Sequence, residues 1–575
     1  MMKTPQMQTW VPWSEASGTA RGTIEEFRDL LKRYKRSSLL IACSRLSVLF
    51  NFGLDGEVAA PAEVVARWVP VFFAPQIASR VLVLAQQERL IFFQAQLRYL
   101  AREVMRLENV SEEHLPPVHD SVLGELLFRA GELLYTPYVN APDPMDELVN
   151  KIVTFLPYYE IDGVNAPPMQ FLRFYILLEV IVPRLANHLK LYDVPKLFEE
   201  QFRFPLKEYC EFIFCFFMHA TTQRDQKTLE AAVDSAVGIK TFRYTSVSPD
   251  AIKRMFDKVC FSLDTFEVKK EPVGFADFDL LKDTPYLLHH EELFCLDYEF
   301  AGGKIESGAL WRVMRGFENH NERTNYLSFW GHVFEEYVRW LFEKYAPQER
   351  NMFYASPSYA DDPSKQICDA IVVCDGAAVL IEAKLATCPS DIRYSGDYRK
   401  MKEFLEDRLV VGKKGAVGVR QLRNALDNIA AGPSSVLPTW LQEIRKFIPL
   451  IITRDDLASS WEVNEYLNAR FQDERKRHKR YTITPLVSMS IGTLERSLHA
   501  LREHSFVEIL EDRLKSKRAM GWSFEAASSY VPRGRAISMS AHLEVFKQLT
   551  KDVIADFHMR DPDGGEQADP PEHST

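Results

Sequence analysis

Asp369, Glu382 and Lys384 fall within the run CDAIVVCDGAAVLIEAKL at residues 368–385, which holds two carboxylates and an ammonium in a stretch otherwise rich in Val, Ile, Leu and Ala. Two carboxylates make a partial site for a hard divalent cation such as Mg²⁺ or Mn²⁺, with water filling the remaining positions. Such a cation acidifies its bound water and offsets charge building on a phosphate. A nearby lysine positions or deprotonates the attacking water. These are the residue types that phosphodiester hydrolysis needs.

Whether they can meet depends on the elements that carry them. Asp375-Gly376 between two apolar runs is a strong two-residue hairpin signal. Cys374 then pairs with Ala377, and stepping outward sets Asp369 directly opposite Glu382. Alternation along a strand puts Glu382 and Lys384 on one face, with Lys384 diagonal to Asp369. Val379, Ile381, Ala383 and Leu385 occupy the other face and read as core. Like charges directly opposite destabilise a strand pair by roughly 0.2–1 kcal/mol, so something positive should sit between the acids. Lys384 serves that purpose too, and a lysine neutralising two acids on a solvated strand is the bland alternative.

Upstream, GHVFEEYVRWLFEKYA places Phe334, Val338, Leu341 and Tyr345 at amphipathic-helix spacing. Glu335 borders that stripe, where a helix packed on the sheet aims a third carboxylate at the hairpin; the neighbouring Glu336 is an equal alternative. Downstream, VGVRQLRNALDNIA is a second helix with Gln421 near its start, and KFIPLIIT and PLVSMSI read as buried strands. Helix, hairpin, helix, strand, strand predicts a central mixed sheet with helices on its faces.

These residues resemble the PD-(D/E)xK, or restriction-endonuclease-like, nuclease superfamily over about residues 325–500. Gly331-His332-Val333-Phe334-Glu335 is similar to its first-helix Glu motif, Asp369 to the hairpin Asp, Glu382-Ala383-Lys384 to the ExK signature, and Gln421-Leu422 to the glutamine of the following helix. Cys368 stands where the name-giving Pro would be. The resemblance implies Asp369 and Glu382 as metal ligands, Lys384 as the residue that orients or activates water, Glu335 as an outer metal or water ligand, and Gln421 as a substrate or site-support residue.

The first 270 or so residues differ in kind, being Leu-rich and helically periodic in segments such as PQIASRVLVLAQQERLIFFQAQLRYLAREVMRL. The expected organisation is α+β and multidomain: an all-α domain over 1–280 for targeting, sensing or regulation, a linker and small strand region over 281–320, an α/β nuclease-like domain over 321–555, and a disordered tail over 556–575. No P-loop, GxGxxG or kinase motif set supplies a nucleotide site. His289-His290 lacks spaced partners and reads as structural. Eight cysteines without CxxC spacing argue against structural zinc or an iron–sulfur cluster.

No apolar run reaches the roughly 18–20 residues of a membrane span, and the first residues lack a secretory pattern, so a cytoplasmic protein without membrane association is expected. A net charge of −10 does not favour nucleic-acid binding, but it is uneven: residues 301–550 hold 36 Lys+Arg against 32 Asp+Glu. Basic stretches at 399–402, Lys413-Lys414 with Arg420, 474–480 and Lys515 to Arg518 could track phosphates or form solvated helix faces.

The leading expectation is an Mg²⁺- or Mn²⁺-dependent nuclease, an endonuclease in preference to an exonuclease, acting on DNA in preference to RNA. The helical half would receive a protein partner or trigger. A nuclease joined to a helical sensor without a helicase resembles restriction or anti-phage effectors at the level of architecture. The competing expectation is a non-catalytic protein whose nuclease-like domain only binds nucleic acid or a partner.

Overall fold

Asp375 and Gly376 both have positive φ, 48° and 76°, the signature of a type I′ turn, whose twist matches that of the strands it joins. In this computed structural model the turn fixes the register of β6 (Ala370–Cys374) against β7 (Ala377–Lys384), with Cys374 facing Ala377 and Ala370 facing Ile381. The paired register ends there, and Asp369 lies in a bend just before β6, with a side chain that reaches Ala383 and Lys384. The structure describes residues 10–50, 62–87, 89–108, 112–134, 144–159, 167–185, 192–222, 236–238, 249–267, 271–275, 277–413, 415–431 and 437–515, with scattered positions from 524 to 551.

The protein is mixed α/β. The first core is built by helices including α1 (Arg36–Val48), α2 (Gln94–Met105) and α3 (Asp120–Leu133). Next come α4 (Pro144–Tyr159) and α5 (Pro167–Ile176). Four short strands then form a small sheet: β1 (Ala236–Gly238), β2 (Cys260–Ser262), β3 (Tyr286–His289) and β4 (Glu292–Cys295), in the order β1-β4-β3-β2. This corrects the expectation of an all-α segment to residue 280, because β1 and β2 are drawn from within it. Residues 281–320, expected as a linker and small strand region, supply the small sheet's two central strands. His290 and Glu291 form the β3–β4 turn with φ of 49° and 63°, which gives the His pair a structural place.

Helix α6 (His320–Tyr345) leads into the larger sheet. The edge strand β5 (Met352–Ala355), absent from the sequence reading, pairs antiparallel with β6. After β7 come α7 (Tyr398–Leu405), α8 (Gly418–Ala431), β8 (Lys446–Thr453), α9 (Trp461–Arg477), β9 (Thr482–Ile483), β10 (Val487–Ser490) and α10 (Ile491–Ser497). The main path is β10-β8-β7-β6-β5, with β9 also on β8; β5, β6 and β7 run antiparallel, whereas β7, β8 and β10 run parallel.

A sheet with parallel strands needs both faces covered, and both are. Val379, Ile381 and Ala383 share a core with Val333, Phe334 and Tyr337 of α6 and with Phe171 and Phe174 of α5. Ala378 and Leu380 pack with Leu422 and Leu426 of α8, Met401 of α7, and Val149 and Ile152 of α4. The helical half therefore contributes a layer to each face, and the cores run across the sequence boundary near 280–320. Arg173 of α5 makes two 2.7 Å bonds to the buried carboxylate of Glu495 on α10, which also accepts the Tyr337 hydroxyl at 2.7 Å. Among the described residues no helix is long and apolar enough to cross a membrane. The tail expected over 556–575 lies outside the described residues.

The turn can be tested by Gly376→Ala. A Cβ there would meet nothing within 4 Å, so any loss reports backbone strain alone. Urea denaturation should show a loss of about 1–2 kcal/mol.

Candidate active site

Asp369 immediately precedes β6, and Glu382 and Lys384 close β7. The Lys384 ammonium donates to Glu382 Oε2 at 2.6 Å and to Asp369 Oδ2 at 3.1 Å. The same Asp369 oxygen accepts the Ala383 backbone N–H at 2.8 Å. The lysine thus occupies the point between opposed carboxylates where the sequence demands a positive charge. Far from forming a solvated face, Glu382 is 1% exposed, and the side chains of Asp369 and Lys384 are 12% and 16% exposed. Gln366 Nε2 donates to the Cys368 carbonyl at 2.7 Å and lies 3.5 Å from Asp369 Oδ1.

Burial pushes the Glu382 carboxyl up to about 8; the Asp369 charge adds to the shift and Lys384 opposes it. Burial alone would lower the lysine, but Glu382 and Asp369 outweigh it and raise it, so the ammonium stays charged. A hydrogen-bonded pair of buried opposite charges can hold together where either charge alone would neutralise.

Helix α6 brings Glu335 toward the same place from the other side of the sheet. Glu335 and Asp369 line one cavity of about 200 Å³ with His332, Ser356 and Leu185. His332 Nδ1 is 3.5 Å from Glu335 Oε2. Burial, and next the charge of Asp369, raise the Glu335 carboxyl, while Lys384 and His332 pull it down. Glu336 also lines this cavity, but it is held in a network with Arg184 at 3.3 Å and Arg339 at 3.7 Å. Both glutamates therefore border the cavity, and the charge of Asp369 acts on Glu335.

Gln421 is placed differently. Gly418, at the start of α8, has φ of 42°, and a Cβ there would stand 2.2 Å from the Leu409 carbonyl oxygen. Gln421 Oε1 accepts the Gly418 N–H at 2.9 Å, so its carboxamide caps its own helix. Among the described residues none of its hydrogen bonds reaches Asp369, Glu382 or Lys384. Helix α8 packs on β7, and any contribution of Gln421 to the site passes through that helix.

His332 stands in the first-helix motif with no role assigned by sequence, and sequence pattern assigns none to Ser356 or Leu185. An i, i+3 relation to Glu335 could have flagged His332. Ser356 directly follows β5, which the sequence does not announce, and its N–H donates to the Asp369 carbonyl at 2.9 Å. The basic stretches are partly structural: Lys402 is paired with Asp146 of α4 at 2.6 Å, whereas Arg399 and Arg420 are exposed. Lys414, the side chains of Glu474 to Arg477, and residues 516–518 lie outside the described residues. A larger cavity, about 700 Å³, lies beside the small sheet and contains none of the five predicted site residues.

Two carboxylates within reach of one ammonium, with Glu335 close by, form an acid-rich cluster whose oxygens suit a hard cation that keeps several of its waters. Among the described residues no group of three or more His, Cys, Asp or Glu side chains is arranged to hold a metal. No family model, curated protein or solved structure matches the chain.

The raised Glu382 carboxyl has a direct consequence for stability. A carboxyl that binds its proton more tightly when folded stabilises the fold at low pH, and that contribution falls as pH rises from the ordinary glutamate value, about 4.3, through about 8. Glu382→Gln removes the dependence. Urea denaturation across pH 5 to 8.5, in the presence of EDTA, should show the variant gaining on wild type as pH increases.

Proposed function

We propose that this chain is a divalent-metal-dependent nuclease that hydrolyses phosphodiester bonds, with DNA favoured over RNA and internal cleavage over end-dependent cleavage. The observation that carries this reading is the convergence of Asp369, Glu382 and Lys384 at one end of a buried hairpin, with Glu335 at the adjoining cavity. A buried pair of opposed carboxylates is costly to keep for stability alone, because apolar residues of similar volume would be neutral or better.

Asp369 and Glu382 would hold Mg²⁺ or Mn²⁺, which supplies an activated water and offsets charge on the phosphate. Lys384 holds a water by donating from its ammonium, and its shift upward favours orienting that water over removing its proton. Glu335, raised by burial and by Asp369, is suited to hold a second-layer water or to accept its proton. Gln421 supports the site through α8. Helix α6 on one face, α8 on the other, and antiparallel β5-β6-β7 continuing into parallel β8 and β10 are the layout expected of the PD-(D/E)xK superfamily. The role of the helical half as the receiver of a partner or trigger, in restriction or anti-phage defence, is supported by its packing on both faces of the site-bearing sheet.

A second reading has its own observation. Lys384 already satisfies both acids, and among the described residues no three-ligand group encloses a metal, as suits a non-catalytic binding domain. Incubation of the full chain with plasmid, single-stranded DNA and RNA in Mg²⁺, Mn²⁺ or EDTA separates the two. Asp369→Ala and Lys384→Ala should each reduce cleavage at least about a hundredfold, or about 2.7 kcal/mol of transition-state stabilisation. Equal inertness of wild type and variants, with nucleic acid still bound and metal without effect on melting, would establish the second reading.

Metal binding is measurable apart from cleavage. At a Mn²⁺ concentration of about a hundred times Kd, wild type should gain about 2.7 kcal/mol against unfolding by mass action. Asp369→Ala should lose most of that gain, read as the metal-induced shift in Tm.

A further inference from the structure

Helix α6 carries on its solvent side a stripe of neutral, hydrogen-bonding residues that its packing does not explain. Asn321, Asn325, Ser328 and His332 are exposed. Their i, i+4, i+7, i+11 spacing puts them on one face, and Glu335 is next on that face, beside Asp369 in the cavity. The opposite face buries Tyr326, Trp330, Val333 and Tyr337. Among the described residues the side chains of Asn321, Asn325 and Ser328 make no hydrogen bond. Thr324, just off the stripe, instead bonds back to the His320 carbonyl at 3.0 Å. Asn and Ser are weak helix formers, and a surface face under no other demand is better filled by Glu, Lys, Arg or Ala.

Gly331 is a second anomaly, one turn before Glu335. It lies inside a 26-residue helix, where glycine is the poorest former after proline. Its φ is not positive, and a Cβ on it would meet nothing within 4 Å. Neither backbone conformation nor internal packing therefore requires glycine here. Open space beside a missing side chain, next to the candidate site, suits something that approaches the helix backbone closely.

We propose that a nucleic-acid strand lies with its sugar–phosphate backbone along this face, held by Asn321, Asn325, Ser328 and His332, and crosses α6 at Gly331 to reach Asp369 and Glu382. This rests on the nuclease reading and names where its substrate binds. Carboxamide, hydroxyl and imidazole donors are suited to phosphate oxygens and fix the register of a strand without reading its bases. From Asn321 to His332 the stripe runs about 16 Å, the span of about five nucleotides of one strand.

The test measures binding in EDTA, where metal-dependent cleavage is silent, by anisotropy of a fluorescein-labelled oligonucleotide offered single-stranded and as a duplex to the full-length protein. Asn325→Asp sets a negative charge against the phosphates and should raise Kd about tenfold or more. Gln76→Asp, the same charge change at an exposed position on a different helix, should leave Kd within about twofold. Gly331→Ala should raise Tm slightly, because alanine is the better helix former and clashes with nothing, and yet weaken binding and slow cleavage in Mg²⁺. A merely structural glycine would give a more stable variant with binding unchanged. The proposal is overturned if Asn325→Asp binds like Gln76→Asp, if Gly331→Ala binds like wild type, or if no oligonucleotide binds at all, as when the face takes a protein. Cleavage that survives Asp369→Ala would instead overturn the nuclease reading and leave the binding result standing.

Discussion

The ammonium of Lys384 between the carboxylates of Asp369 and Glu382 is the interaction on which this end of the larger sheet depends. Without it, β6 and β7 would bring two acids face to face in a nearly dry environment, and the hairpin would open or a carboxyl would take up a proton. Breaking a buried pair by removing one partner costs about 3–5 kcal/mol, a sizeable part of a typical folding free energy of about 5–15 kcal/mol. The type I′ turn at Asp375-Gly376 sets the register, the register sets the opposition of the acids, and the lysine makes that opposition tolerable. A cation arriving at the acids would compete with the lysine for the same oxygens, so the arrangement that protects the fold in its absence also frees an ammonium in its presence.

The hairpin was the most legible part of the chain because every determinant is local. Asp-Gly permits positive φ at two successive positions, β-branched and small apolar residues flank it, and side-chain alternation does the rest. The amphipathic pattern around Phe334 and Val338 likewise located α6, although its extension back to His320 was not apparent from apolar spacing. Strands β5, β1 and β2 were not legible, since three or four residues carry too little pattern to stand out from a helical background. Their pairing partners are supplied by distant segments.

Among the candidate site residues, Asp369, Glu382 and Lys384 follow from strand periodicity. The surroundings of Glu335 and Glu336 needed the third dimension, because adjacent helix positions diverge by about 100° and only contacts reveal what each one meets. Gln421 shows the opposite limit. A glutamine three residues after a glycine of positive φ is already committed to a local cap, and motif position alone does not reveal that competing demand. The same applies to the domain boundary: composition shifts near residue 280, whereas burial is decided by which surfaces need covering.

The sheet between α4 and α5 on one side of the chain and α10 on the other has a consequence for synthesis. Arg173 and Glu495 are 322 residues apart in sequence, so α4 and α5 leave the ribosome long before the strands that will cover their apolar faces exist. Contacts of such separation are slow to form, and surfaces waiting for them are prone to aggregate. The sheet-covering helices are therefore exposed during translation, and a piece cut at residue 321 would begin with both faces of its sheet stripped of a layer. The chain is best regarded as one cooperative folding unit around its larger sheet, in which the surroundings of Asp369, Glu382 and Lys384 cannot be completed until the last strands have been made.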